Sequence, residues 1–146
     1  MQPTPITETM SVVGQITLED IAQAAKDGYA TIINNRPDGE EPGQLTHEQA
    51  EAAAAKLGLQ YRYIPVVTGS ITRRDVTAHH NAVMRGPHKV LAHCRSGTRC
   101  YLLWAASRVL FDGESALKLV AEAAIKGYDL RVLPSLIEKI QGEPAE

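Results

Sequence analysis

Short runs of β-forming residues alternate with helical patterns along most of this chain. The runs lie at 12–13, 29–34, 59–67 and 89–93. The run at 29–34 is nearly continuous in apolar residues, which is typical of a strand buried on both faces of a parallel sheet. Helical patterns separate the runs, and three more follow the last one, at 99–110, 114–126 and 134–140. This order predicts an α/β fold with a mainly parallel central sheet and helices on both faces. The loops after Asn34, Val67 and His93 are then expected to converge at the carboxyl ends of the strands, where ligands bind in such sheets.

Capping and breaking residues mark the boundaries of these elements. Thr46 is followed three residues later by Gln49, which predicts a capping box at the start of a helix, and Gly58 predicts its end. Between the second run and this helix, the stretch 35–44 contains two prolines and two glycines and predicts a polar loop.

Length and composition exclude several classes of protein. A chain of 146 residues fits one domain, so we expect a single domain over 1–146. The net charge of -2 gives no basic surplus, and we therefore expect neither nucleic acid nor a membrane among the partners. There is no basic segment followed by an apolar run at the N-terminus, and only two cysteines occur, so we expect a cytoplasmic protein without disulfides.

One of the two cysteines lies where chemistry is expected. The strand at 89–93 is followed by a short polar loop and then a helix, so Cys94 stands at a strand end and faces a helix N-terminus. The free N–H groups and the dipole of that helix stabilise a thiolate. The loop adds two arginines, two hydroxyls and a glycine that can turn its amides inward as an anion-binding nest, at Arg95, Ser96, Gly97, Thr98 and Arg99. The loop predicts an activated cysteine nucleophile in an oxyanion cradle.

Other interpretations of these residues stand beside this one. A lone cysteine is usually a small buried hydrophobe, but two arginines and two hydroxyls make a poor core. We expect His93 to orient the loop by hydrogen bonds rather than to donate protons. Cys100 is expected to pack inside the helix, with a resolving or disulfide role as the alternative. The spacing of Cys94, Cys100 and His93 is unlike that of a zinc site, and the arginines would repel a cation, so no metal and no other cofactor are expected.

The loop residues 94–99 resemble the active loops of protein tyrosine phosphatases and of rhodanese sulfurtransferases. Together with residues 13–16, 33–40 and 61–66, they resemble the bacterial family called the beta-lactamase hydrolase-like protein, phosphatase-like domain. The resemblance covers about residues 4 to 110 and implies a fold of the dual-specificity phosphatase type. It also implies that Cys94 and Arg99 are catalytic and that the residues between them bind the anion.

Two features separate phosphate from sulfur chemistry. Phosphatases of this type place five residues between the cysteine and the arginine, whereas four residues separate Cys94 from Arg99, which is the rhodanese spacing. Phosphatases also use a carboxylic acid in the loop after the strand that here ends near Val66, and residues 67–70 contain none. Asp75 is expected inside the next helix as a first-turn dipole partner. Losing a positioned acid typically costs about 10²–10⁴ in rate.

Residues 36–41 offer further candidates. Arg36 either clamps the anionic end of a substrate or pairs with Asp38. Asp38, Glu40 and Glu41 are candidate acids, and the simpler interpretation of each is a carboxylate in a solvated polar loop. The sequence therefore favours a sulfurtransferase that forms a Cys94 persulfide from thiosulfate or a small persulfide and passes sulfur to a thiol acceptor. The alternatives are a phosphate monoester hydrolase that forms a phosphocysteine, and an inactive anion-binding module.

Overall fold

The fold of the protein was derived from a computed structural model that describes residues 1–144. Within that range, the chain forms five strands, six α-helices and one short 3-10 helix at Thr68–Ser70. The strands are β1 (Thr4–Pro5), β2 (Met10–Val13), β3 (Thr31–Asn34), β4 (Gln60–Tyr63) and β5 (Val90–His93). The helices are α1 (Leu18–Lys26), α2 (His47–Lys56), α3 (Arg73–Arg85), α4 (Thr98–Asp112), α5 (Ala116–Ile125) and α6 (Leu133–Gln141).

The strands form one sheet in the order β1-β2-β5-β3-β4. β2, β5, β3 and β4 are parallel to one another, and among the described strands only the edge strand β1 is antiparallel, to β2. This confirms the predicted α/β class with a mainly parallel sheet.

Alternate strand residues build two cores, one on each face of the sheet. Ile32 and Leu91 pack with α1 and α2. Ile33 and Ala92 pack on the other face against a larger cluster that includes residues of α3, α4, α5 and α6. The central strands are therefore covered on both faces, and even their polar residues Ser11, Thr31, Asn34 and His93 are buried.

Side-chain caps fix the starts of the helices. Thr17 and Asp20 form a capping box at α1, Thr46 and Gln49 form the predicted one at α2, and Thr72 and Asp75 form another at α3. Asp75 thus lies in the first turn of α3, as expected, and the structure adds a capping role, because its carboxylate accepts the Thr72 amide.

Two strands differ from the sequence prediction. β4 ends at Tyr63 rather than near 67, because Pro65 has no N–H to donate to the ladder. The amides of Ile64 and Val66, on either side of the proline, still donate to the carbonyls of Asn34 and Asn35. β1 is only two residues long and includes Pro5, too short for a periodic pattern. Among the described helices, none is both long and apolar enough to cross a membrane.

Candidate active site

Three loops meet at the carboxyl ends of β3, β4 and β5. Arg99, which follows β5, donates to the Glu40 carboxylate from the loop after β3 and to the Val66 carbonyl from the segment after β4. The convergence predicted from the alternating pattern is therefore present. It places side chains distant in sequence around the loop of Cys94.

Cys94 follows β5 directly and lies fully buried at the base of its loop. The backbone amide of Gly97, the residue before α4, donates to Cys94 Sγ at 3.0 Å. The pKa of Cys94 is lowered to about 5, first by a hydrogen bond from the Cys100 thiol and further by the backbone amides of the loop and the first turn of α4. Cys94 is therefore a thiolate at neutral pH, and a thiolate is the nucleophilic form of cysteine.

Cys100 lies in the first turn of α4 and is also fully buried. Burial and the neighbouring Cys94 thiolate raise its pKa well above the usual thiol value, so it stays protonated and can donate. The packing role expected for Cys100 is correct, and the structure adds a second one, the stabilisation of the Cys94 thiolate. Neither cysteine forms a disulfide within the described residues.

Two glycines allow the loop to close tightly. Gly97 has a φ of 92°, a conformation that residues with a Cβ rarely adopt, and a Cβ there would lie 3.2 Å from the Tyr128 ring. A Cβ on Gly14 would lie 3.0 Å from the Arg95 carbonyl oxygen. The Arg95 carbonyl also accepts the Gln15 amide at 3.2 Å, so the segment after β2 supports the loop from behind.

Arg99 is held by the loop after β3. Its two terminal nitrogens each donate at 2.8 Å to one oxygen of the Glu40 carboxylate, and Nη1 also donates to the Val66 carbonyl at 2.9 Å. The hydrogen bonds from Arg99, strengthened by Arg36, lower the pKa of Glu40 to about 2. Glu40 is therefore an anion over the whole working range and holds no proton for a leaving group.

Arg36 has neither of the roles predicted for it. Its side chain is almost fully buried and is used up by Gln15, Glu40 and Glu41 at 3.0, 2.9 and 2.6 Å. It therefore neither reaches out to a substrate nor pairs with Asp38. A buried guanidinium needs acceptors for all its donors, and the loop folds two glutamates onto it. Arg36 positions Glu40, which in turn positions Arg99.

Asp38 is also committed elsewhere. Its carboxylate accepts the His47 amide at 2.9 Å and contacts His47 Nδ1 at 2.5 Å, and the His47 ring stacks on Tyr63. The Tyr63 hydroxyl accepts the Asp38 amide. Asp38 thus joins the loop to α2 and β4, and the structure gives it the role of a loop anchor rather than of an acid.

The other polar side chains of the loop do not all face the Cys94 thiolate. Ser96 donates to the Thr98 hydroxyl and accepts the Thr98 amide, so the structure pairs the two hydroxyls with each other rather than with the thiolate. Arg95 is two-thirds exposed, and its nearest carboxylate is Glu41 at 3.5 Å. The cradle around Cys94 is therefore made by backbone amides and Arg99, with Arg95 at its rim.

His93 does not orient the loop through its side chain. It is buried, and within residues 1–144 neither ring nitrogen has a hydrogen-bond partner of normal geometry. Desolvation lowers its pKa to about 4, so the ring is neutral at neutral pH. Its backbone carbonyl does accept the Asn35 amide and so connects β5 to the loop after β3. Across the described part of the chain, no cluster of ligands could hold a metal ion.

Comparison with known proteins agrees with this geometry. Residues 4–111 match the model of the family described as "Beta-lactamase hydrolase-like protein, phosphatase-like domain". The chain belongs to this family. A beta-lactamase hydrolase-like protein from Xylella fastidiosa (strain Temecula1) is 38% identical over 130 residues, which are 89% of this chain and 30% of that protein. The chain thus spans under a third of the length of such curated members.

Solved structures place the family in the protein tyrosine phosphatase fold. A candidate phosphatase from Neisseria meningitidis Z2491 superposes with a TM-score of 0.81 at 31% identity, over 92% of this chain and 95% of that one. PTPMT1 superposes with a TM-score of 0.71 at 16% identity over 96% of each chain, a likeness in fold. These relatives favour the phosphatase alternative over the sulfurtransferase hypothesis that the sequence favoured.

Sequence reasoning missed three contributors to this site. Glu40 was one of several loop carboxylates, Cys100 was a packing residue, and Gly14 was only part of the family resemblance. A signal for Glu40 existed, since Arg36 and two glutamates within six residues after a buried strand form a charge group at the ligand-binding edge. The contact of Cys100 with Cys94 depends on the turn at Gly97.

Proposed function

We propose that this chain is a cysteine-dependent phosphatase that hydrolyses phosphate monoesters through a phosphocysteine on Cys94. The observation that carries the proposal is the Cys94 thiol, whose pKa of about 5 leaves it ionised at the N-terminus of α4. The phosphatase-like family and the Neisseria relative support a phosphoryl group as the group transferred to Cys94.

The chemistry proceeds by displacement at phosphorus. Cys94 Sγ attacks the phosphorus, a P–S bond forms, and the P–O bond to the leaving group breaks with its electron pair on oxygen. Loop amides and Arg99 stabilise the charge that builds on the equatorial oxygens. Water then attacks the phosphocysteine, releases inorganic phosphate and restores the thiolate.

The leaving group departs without help from a protein acid. Glu40 and Glu41 are the carboxylates in contact with the loop arginines, and hydrogen bonds from Arg99 and Arg36, respectively, keep their pKa values low. A leaving oxygen therefore has to leave as an anion. This restricts the reaction to esters of acidic alcohols, such as aryl phosphates, because an unassisted alkoxide would lose about 10²–10⁴ in rate.

Sulfur transfer is the second candidate, and two observations favour it. The nearby carboxylates are ionised, and Cys94 is fully buried in a loop with four residues between cysteine and arginine. A single sulfur atom needs less space than a phosphoryl group, and sulfite or a thiolate leaves without a proton. In this reaction Cys94 Sγ attacks the outer sulfur of thiosulfate, the S–S bond breaks with its electrons on sulfite, and an acceptor takes the sulfur from the persulfide.

A paired assay tests the proposal and separates the two candidates. Hydrolysis of an aryl phosphate and transfer of sulfur from thiosulfate to cyanide are measured on the same preparation, each with Cys94→Ser. The proposal expects aryl phosphate turnover that Cys94→Ser abolishes. Sulfur transfer without phosphate hydrolysis would overturn it in favour of the second candidate, and turnover that survives in Cys94→Ser would overturn both.

A further inference from the structure

A second feature of the active face is a cavity that begins where the nucleophile loop ends. It has a volume of about 460 Å³, and Thr98, Arg99 and Leu102 of α4 form one wall. Residues before and within α6, among them Arg131 and Val132, form the opposite wall, and Thr68 after β4 closes one end. Because Arg99 belongs both to this cavity and to the anion cradle, the cavity adjoins the place where the cradle would hold an anion.

The charges of the cavity are already compensated by the protein. Asp129 accepts both the Nε and Nη2 hydrogens of Arg131 at 3.0 and 2.8 Å, and also the Arg131 backbone amide at 3.0 Å. These hydrogen bonds lower the pKa of Asp129 to about 2, so it stays an anion beside its arginine. Arg99 has Glu40 as its counterion. A second charged group on a substrate would therefore have to compete with these existing ion pairs.

The rest of the lining suits an uncharged organic group. Leu102 is buried and gives an apolar floor, and Val132 is about half exposed on the facing wall. The hydroxyls of Thr68, Thr98 and Ser135 give polar points at the rim. A volume of this size is in the range of cavities that take drug-sized ligands, about 300–1,000 Å³.

We propose that this cavity binds the neutral, largely apolar organic part of the substrate, an aryl or similar group attached to the atom that Cys94 attacks. The proposal rests on the proposed function and names its substrate class. The substrate carries one anionic group, with one or two negative charges, and its organic part is uncharged. In the sulfur reaction, the same cavity would hold the organic part of a thiol acceptor.

A nearby cavity provides the control. It has a volume of about 420 Å³ and lies between the segment after β2 and the loop after β3, lined by Leu18, Arg36 and Glu41. It contains no residue of the nucleophile loop, and Leu18 makes none of the hydrogen bonds that hold Arg36 and Glu41, so a larger side chain at Leu18 is expected to leave substrate binding unchanged. Leu18 and Val132 are both about half exposed, which makes Leu18→Trp a matched control for Val132→Trp.

The test is direct binding measured by calorimetry, with 1-naphthylmethylphosphonate and inorganic phosphate as probes. The phosphonate cannot be hydrolysed, so the measurement does not depend on turnover. Wild-type protein is expected to bind the phosphonate at least tenfold more tightly than phosphate. Val132→Trp is expected to weaken the phosphonate by about tenfold and phosphate by less than twofold, and Leu18→Trp is expected to change neither.

Several outcomes would overturn the proposal. These are no preference of the wild type for the phosphonate, an equal effect of Val132→Trp on both probes, or the same effect from Leu18→Trp. Ser135→Phe fills the cavity from the exposed face of α6 and repeats the test if Val132→Trp melts at a lower temperature than the wild type. The expected binding pattern without aryl phosphate turnover would refute the phosphatase but support the cavity. Naphthalenethiol as a sulfur acceptor, compared with cyanide, then shows whether the thiol is the occupant.

Discussion

At the scale of single residues, the site depends on the difference between two cysteines six positions apart. Both are fully buried, yet the pKa of Cys94 is lowered to about 5 and that of Cys100 is raised. Burial is the main cause of the raised pKa of Cys100, and the neighbouring Cys94 thiolate raises it further, whereas the Cys100 thiol and the backbone amides of the loop lower the pKa of Cys94. The sequence was sufficient to predict which cysteine is activated, because the helix N-terminus and the arginines are visible in it. It was not sufficient to predict the contribution of Cys100.

The first prediction concerns that hydrogen bond. The rate of alkylation of Cys94 by iodoacetamide follows the thiolate fraction, so in the wild type it should rise through an inflection near pH 5 and then level off. Cys100→Ala removes the donor, destabilises the thiolate and moves the inflection upward, towards an ordinary thiol. Cys100→Ser keeps a donor of similar size and should stay near the wild type. An unchanged inflection in Cys100→Ala would contradict the role assigned to Cys100.

At the scale of elements, the loop after β3 is the part that the sequence described least well. Its polar, proline-rich and glycine-rich character correctly predicted irregular structure, and its position at the sheet edge correctly predicted closeness to the nucleophile. The pairing of Arg36 was predicted wrongly, since it contacts Glu40 and Glu41 rather than Asp38. Three carboxylates follow Arg36 closely in the sequence, and the path of the loop determines which of them its guanidinium can bond. Asp38 accepts the His47 amide instead, which leaves Glu40 and Glu41 for Arg36.

The second prediction tests the chain of contacts from Arg36 through Glu40 to Arg99. Glu40→Gln removes the negative charge that holds the Arg99 guanidinium in place. Because a misplaced catalytic group slows the reaction, kcat/KM for an aryl phosphate should fall by about 10- to 100-fold. Glu41→Gln is the matched control, because Glu41 contacts Arg36 and Arg95 but has no hydrogen bond to Arg99 among the described contacts. It should lower kcat/KM less than about threefold.

Two results would contradict this positioning role. One is a rise in activity in Glu40→Gln, which would mean that Glu40 blocks Arg99 rather than positions it. The other is an equal loss in Glu40→Gln and Glu41→Gln, which would mean that the whole loop, not the Arg99 contact, was disturbed.

At the scale of the whole molecule, alternating strands and helices were enough to predict the class, the parallel sheet and the edge where the site lies. Pairing order was less accessible, because β5 inserts between β2 and β3 and no local signal specifies that. The fold also buries two neutral histidines without hydrogen-bond partners within the described chain, His79 in α3 and His93 in β5. Their burial makes the stability of the molecule depend on pH.

The third prediction is a loss of stability in mild acid. Desolvation, with a smaller effect of His80, lowers the pKa of His79 to about 3, and desolvation lowers that of His93 to about 4, whereas both are near 6.5 in the unfolded chain. Between those values the unfolded state binds more protons, so the free energy of unfolding falls as the pH falls from about 6.5 to 4, by up to about 1.4 kcal/mol per pH unit for each histidine.

Denaturant titrations at several pH values measure this slope. His79→Leu replaces the imidazole with an apolar group of similar size and removes one titrating site. The free energy of unfolding of this variant should therefore depend less steeply on pH than that of the wild type. His88→Gln, which changes a histidine outside the buried pair, should keep the wild-type slope. Equal slopes in all three proteins would show that buried histidines do not set the acid limit.

The central claim is that Cys94 forms a covalent intermediate, and intact-mass spectrometry of acid-quenched reactions tests it most directly. During turnover of an aryl phosphate, we expect a fraction of the protein to gain about 80 Da, one phosphoryl group on Cys94, and Cys94→Ser to gain nothing. A gain of about 32 Da from thiosulfate instead would identify sulfur as the cargo and keep Cys94 as the nucleophile. Turnover with no adduct under conditions where the breakdown step limits the rate, or an adduct on another residue, would contradict the account.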